Sequence, residues 1–141
     1  MPTKSRRSRS KAAVVQFAVA RRGLPSAASF RRWAAGFPGI TLRIVGRREG
    51  LLLNQKYRGQ GKPTNVLTFA TGDVVLCDPV IRKEARQQGK SLAAHYAHLV
   101  VHGALHWRGH DHMTKQQAAR MERTEIRALR RLGFGDPYRI E

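Results

Sequence analysis

Residues 91–112 read SLAAHYAHLVVHGALHWRGHDH, and the rest of the chain is best understood outward from them. This is the longest apolar run in the sequence. Ser91 is a good N-cap and Gly109 a good stop, so residues 91–109 are expected to form a helix at the centre of the domain. Four of the chain's six histidines fall in residues 102–112. His102 and His106 are four apart, which puts both imidazoles on one helix face about one turn apart. Gly109 then lets the chain reverse, so that His112 can swing back toward the same point.

The resulting pattern is H-x-x-x-H-x-x-G-x-x-H. Three neutral imidazoles with an open fourth position suit a catalytic zinc site. The helix around them carries Leu99, Val100, Val101 and Leu105, and imidazoles in apolar surroundings need partners, of which a metal is one. The competing reading is that each histidine simply hydrogen-bonds its neighbours. His98 and His95 lie one and two turns earlier; His98 shares the face of His102 and reads first as packing or surface. His110 falls in the turn, exposed or facing a substrate. The metzincin proteases use the same spacing with glutamate after the first histidine, where it activates the zinc-bound water. Here that position is Gly103, which weighs against peptide hydrolysis. A metal site on a basic protein points instead to phosphodiester chemistry, in which the metal and arginines neutralise charge developing on phosphate.

The remaining elements follow from periodicity and breakers. Residues 12–20 (AAVVQFAVA) and 40–46 (ITLRIVG) read as strands. Residues 24–37 hold a short helix with Pro25 at its start, Leu24, Ala28 and Trp33 inward and Gly36 as the stop. Residues 47–59 form a helix ending at Gly59, and 59–64 a loop. NVLTFA and GDVVLC flank a short Thr71-Gly72 turn and make a hairpin. In DPVIRKEARQQG, Asp78 is the expected N-cap, Pro79 the first helical position and Gly89 the stop. Residues 114–133 form a last amphipathic helix capped by Thr114, with Ala118, Met121, Ile126, Leu129 and Leu132 inward. This mixed order of elements gives the fold class α+β: a single domain with a small mixed sheet packed with helices and the metal site at the end of the central helix.

The chain has 141 residues and a formal net charge of +18. Residues 1–48 contain twelve Lys or Arg, and the first acid is Glu49. So much uncompensated charge is relieved by a polyanion, and nucleic acid is the obvious one; an anionic membrane surface is the lesser rival. Cys77 is the only cysteine, so no internal disulfide forms and a reducing compartment fits. Within DVVLC it reads as a small core residue. The start imitates a signal peptide, and its Arg/Ser-rich composition a transit peptide. The apolar part is short and alternating, so residues 1–11 read as a disordered basic tail and residues 12–141 as the domain. No apolar run is long enough to span a membrane.

HGALHWRGHDH (102–112) resembles the H-G-x-L-H-x-x-G-x-D-H signature of the YbeY family of bacterial rRNA-maturation endoribonucleases. LNQKYRGQGKPTNVLTF (53–69) resembles that family's LN-x-x-YRG-x-x-x-PT-(D/N)-VL-(S/T)-F block, GDVVLC its GDI-x-I strand, and DPY at 136–138 its closing PY. Together these blocks are highly specific, and they span about Leu53 to Tyr138. The resemblance implies an α+β domain with a three-histidine zinc site, one Zn2+ per chain. It implies single-strand-specific endoribonuclease activity at the 3′ end of small-subunit 16S rRNA and a role in ribosome quality control. The partners it implies are an rRNA precursor and ribosome or small-subunit assembly proteins, in the cytoplasm and away from membranes. Carried across, the metal ligands are His102, His106 and His112, and the family's functional arginine falls on Arg58, which beside a Gly-rich loop can grip phosphate bidentately.

Asp111 admits two readings, a catalytic or histidine-orienting carboxylate and a turn former. Asn54, Lys62 and Asn65 are expected along the groove, and Trp33 in the core rather than as a base-stacking surface. Trp107 and His110 stand where the family usually has leucine and tyrosine. TFATGD (68–73) is short where relatives carry a longer, partly acidic insertion. A second function stays open, that of a ribosome-assembly RNA-binding factor with a structural zinc and little nuclease activity.

Overall fold

Val14, Val15 and Phe17 favour extended backbone, and β1 (Val14–Phe17) forms there. The computed structural model describes residues 12–139; the expected tail over residues 1–11 lies outside them. After β1 come α1 (Ala27–Trp33), β2 (Thr41–Val45), α2 (Arg47–Arg58), β3 (Val66–Thr68) and β4 (Asp73–Cys77). The chain continues through α3 (Asp78–Gln88), α4 (Leu92–Trp107) and α5 (Lys115–Arg131). The sheet runs in the order β1-β2-β4-β3. β1, β2 and β4 are parallel, and β3 pairs antiparallel with β4 through the tight hairpin turn. The class is therefore α+β, as the sequence predicts.

Strand alternation sorts the apolar residues onto two faces. Leu42, Ile44, Val74 and Leu76 join the main core with α1, α4 and α5. Val45, Leu67, Val75 and Cys77 form a smaller cluster on the other face, with Leu53 of α2 against it. Cys77 is buried, in line with its place in the apolar run.

Helix α4 is the hub of the larger core. Ser91 caps it by accepting the Ala94 N–H at 3.1 Å, and Tyr96, Ala97, Val100, Val101 and Ala104 are fully buried. Gly103 sets its distance from the sheet: a Cβ there would stand 2.8 Å from Val74 Cγ1 and 3.2 Å from Thr68 Oγ1. Only glycine lets the helix backbone come that near β3 and β4, and Thr68 uses the approach to donate to the Gly103 carbonyl at 3.2 Å.

Three local expectations are corrected. Ala28 is exposed, and the inward residue of α1 besides Trp33 is Phe30. The Phe30 ring sits edge-on to Phe17, Trp33 and Tyr96 at 5.9, 5.3 and 5.2 Å, an aromatic cluster no small residue could fill. Asp78 is not the N-cap of α3; Cys77 holds that position and Asp78 is the first helical residue. Its carboxylate accepts from the Tyr96 hydroxyl at 2.6 Å and from Arg82 at 2.9 Å, so it ties α3 to α4 instead. On α5, Ile126 is only half-buried, while Met121, Glu125 and Leu129 make the buried stripe. Thr114 does cap α5, in a reciprocal box with Gln117. Among the described residues no helix is long and apolar enough to cross a membrane.

Candidate metal centre

His102 and His106 project from the last two turns of α4. The helix then closes with Gly109 at φ +98° and the His110 N–H bonded back to the Leu105 carbonyl at 3.0 Å. That left-handed glycine closure turns the chain sharply, and the loop carries His112 back over the helix end. Asp111 pins the loop, accepting the His112 backbone N–H on Oδ1 at 2.7 Å. The three rings converge, with centroids 4.7 Å (His102–His106), 4.8 Å (His106–His112) and 5.9 Å (His102–His112) apart. One nitrogen from each lies within 4.8 Å of the others, close enough to share one ion.

Glu125 determines which nitrogen of His102 is offered. This carboxylate is completely buried. It accepts from His102 Nδ1 at 2.6 Å and from the Tyr138 hydroxyl, with His98 Nε2 3.4 Å away. Burial alone would raise its pKa, but the hydrogen bonds from His102, His98 and Tyr138 outweigh that and hold it at about 2. An ionised carboxylate can only accept, so Nδ1 carries the proton and the Nε2 lone pair is free for an ion. This carboxylate–histidine pairing is the usual support of a metal ligand. His106 is pushed down by burial, then by His102 and His112, which favours the neutral form a metal needs. The donor set therefore fits a metal. His98, His102 and Glu125 also bring ligand atoms within 4.8 Å of one another, but there the carboxylate is already spent on the hydrogen bonds just described.

The histidines face a cavity of about 650 Å³ whose walls include Arg58, Asn65, Phe69, Trp107, Asp111 and Met113. Arg58 is the exposed last residue of α2, on the rim. Two expected groove residues are elsewhere. Asn54 is 3% exposed and donates to the Lys62 carbonyl at 2.6 Å, so it staples the Gly-rich loop from beneath. Lys62 lines a different hollow with Arg47, Pro63 and Lys83. Asn65 does reach the cavity wall while donating to Glu84 at 3.1 Å. Trp33 is 3% exposed and belongs to the core. His110, half-buried, lines a small hollow beside the loop with Arg108 and Arg120. Gly103 leaves no room for the side chain that the protease reading requires.

Sequence reading missed Glu125 and its tie to Tyr138. The signal was present: an acid at the centre of the stripe Met121-Glu125-Leu129, spaced by four on an otherwise polar helix. The tryptophan at 107 and the short hairpin, two departures from the resembled family, meet in space. The Trp107 indole donates to the Ala70 carbonyl at 3.2 Å, and its ring lies where a Cβ on Gly72 would come within 2.9 Å.

The chain is also similar to known proteins. The family model described as "Endoribonuclease YbeY" matches residues 8–133. A relative from Nitrosomonas eutropha named Endoribonuclease YbeY is 48% identical over 138 residues, covering 90% of this chain and 98% of its own. One from Alkalilimnicola ehrlichii with the same name is 46% identical over 150 residues, covering 90% of each. The solution structure of TM1509 from Thermotoga maritima is similar in fold, with a TM-score of 0.52 at 19% identity, covering 89% of this chain and 99% of that one.

Proposed function

The chain belongs to the YbeY endoribonuclease family, and from that membership we propose a metal-dependent, single-strand-specific endoribonuclease that matures the 3′ end of small-subunit rRNA and serves ribosome quality control. The observation that carries the reading is the convergence of three imidazoles in one cavity with Arg58 on its rim. A net charge of +18 suits a polyanionic substrate. Precursor rRNA and small-subunit assembly proteins are the partners, in the cytoplasm.

His102, His106 and His112 would hold one ion, and three imidazoles with an open position suit Zn2+, although the same donors also take nickel or copper. When bound, the ion supplies Lewis-acid stabilisation of charge on a phosphate oxygen. The chain's own residues do the rest. Arg58 presents a planar fork of donors to two phosphate oxygens and neutralises charge as it builds. Glu125 keeps the proton on His102 Nδ1. Asp111, on the cavity wall, accepts the backbone N–H of the adjacent ligand His112.

The test is cleavage of a labelled single-stranded RNA by wild type, His106→Ala and Arg58→Ala, with metal content measured on each. Wild type should cut. His106→Ala should lose both metal and activity. Arg58→Ala should keep its metal and lose about 10²–10³-fold in rate. Equal cutting by all three would place the activity elsewhere. Metal-loaded wild type that binds RNA without cutting it would favour the assembly factor with a structural zinc.

A further inference from the structure

We infer that Tyr57, braced by Phe69, is a stacking platform for one unpaired nucleobase of the substrate strand, at the rim of the metal cavity. The inference rests on the endoribonuclease reading above and specifies how the site selects a single strand.

Tyr57 is the second-last residue of α2 and is 56% exposed, an unusual place for a large ring on a domain that buries Phe30, Trp33 and Tyr96. Its ring meets Phe69 edge-on, with centroids 5.0 Å apart and planes at 81°. Phe69 in turn forms part of the cavity wall that His102, His106 and His112 share. The exposed ring thus packs on a residue of the cavity wall.

Cations flank it. Lys56 Nζ lies over the Tyr57 ring, 5.3 Å from its centre, and Arg58, the next residue in the chain, lines the cavity itself. No Asp or Glu occurs between Glu49 and Asp73, so nothing in this segment repels a phosphate. An exposed ring among basic side chains is one way proteins grip a single strand: a base displaces the flexible Lys56 ammonium from the ring, and the cation moves to the backbone. A polyanion without bases would need the cations but not the ring. Bases in a duplex are stacked on one another and offer no face, so this platform discriminates by strandedness rather than by sequence. Trp33 cannot serve, being buried; Trp107 also lines the cavity, but its ring packs on the hairpin turn at Gly72 and its N–H is bonded to the Ala70 carbonyl.

The experiment is fluorescence anisotropy with a short labelled RNA, as a single strand and annealed to its complement. It compares wild type, Tyr57→Phe and Tyr57→Ala across a salt series, with metal content measured for each. Tyr57→Ala should weaken single-strand binding about tenfold, Tyr57→Phe by no more than about twofold, and neither should change duplex affinity. The salt slope should be the same for all three, because no charge is removed. Single-strand affinity unchanged in Tyr57→Ala would overturn the platform while leaving the nuclease reading intact. An equal loss on duplex would also overturn it, by showing that the ring acts through general contact or fold. Wild type that binds neither RNA would overturn the nuclease reading, and the platform with it.

Discussion

His102 has two ring nitrogens with different tasks because Glu125 claims one of them. The 2.6 Å bond to Nδ1 fixes the tautomer and the ring plane, and a full negative charge makes the ring a stronger donor at Nε2. Glu125→Gln keeps the shape but removes the charge, and its amide can present either an acceptor or a donor to Nδ1. Metal affinity should fall about 10–100-fold, read as the dissociation constant from competition with a chelator of known affinity. An unchanged constant would make Glu125 a packing residue. The histidine spacing was legible because it is local: four residues make a turn, and a glycine ends the helix. Glu125 was not, because its partner His102 is 23 residues away. Helical periodicity shows that an acid faces inward, not what it meets there. Asn54 failed for the same reason in reverse: a polar residue in a motif suggests a groove, yet its amide is spent on a carbonyl beneath the loop.

Elements were the most legible scale. Caps at Ser91 and Thr114, stops at Gly59 and Gly89, and the alternation of β2 all reflect chemistry contained within a few residues. What sequence could not supply is the distance between elements. Gly103 reads as a weak helix residue, and its value appears only where α4 meets β3 and β4. Replacing it by alanine should favour the isolated helix by about 1 kcal/mol. The new Cβ, however, would stand 2.8 Å from Val74 Cγ1, on a rigid strand. Overpacking of this kind costs about 1–3 kcal/mol and should exceed the helix gain once Thr68 is displaced as well. Thermal unfolding of Gly103→Ala should therefore show a lower Tm than wild type in the metal-free protein, where loss of the ion cannot account for it. A raised Tm would mean that the sheet yields and that propensity dominates.

At the scale of the whole molecule, two kinds of recognition separate. Strandedness and the place of cleavage belong to the cavity and its rim, where geometry is fixed by α2, α4 and the loop to His112. Affinity for any polyanion belongs to the summed charge, to which the whole sequence contributes. Residues 1–11 carry Lys4, Arg6, Arg7, Arg9 and Lys11 with no acid. Each phosphate that such a cation neutralises on a single strand adds about 0.7 to the slope of log affinity against log salt. Removing residues 1–11 should lower RNA affinity at low salt and make that slope shallower, by at most about 0.7 for each phosphate the tail neutralises. It should leave the ratio of single-strand to duplex affinity where Tyr57 sets it, and the cleavage rate at saturating RNA unchanged, since none of the cavity's residues is touched. A slope unaltered by the truncation would confine phosphate binding to residues 12–141, with Arg58 on the cavity rim and Lys56 over Tyr57. A changed strand preference would mean that the tail reaches the rim itself, and that selection and affinity are not separable in this protein.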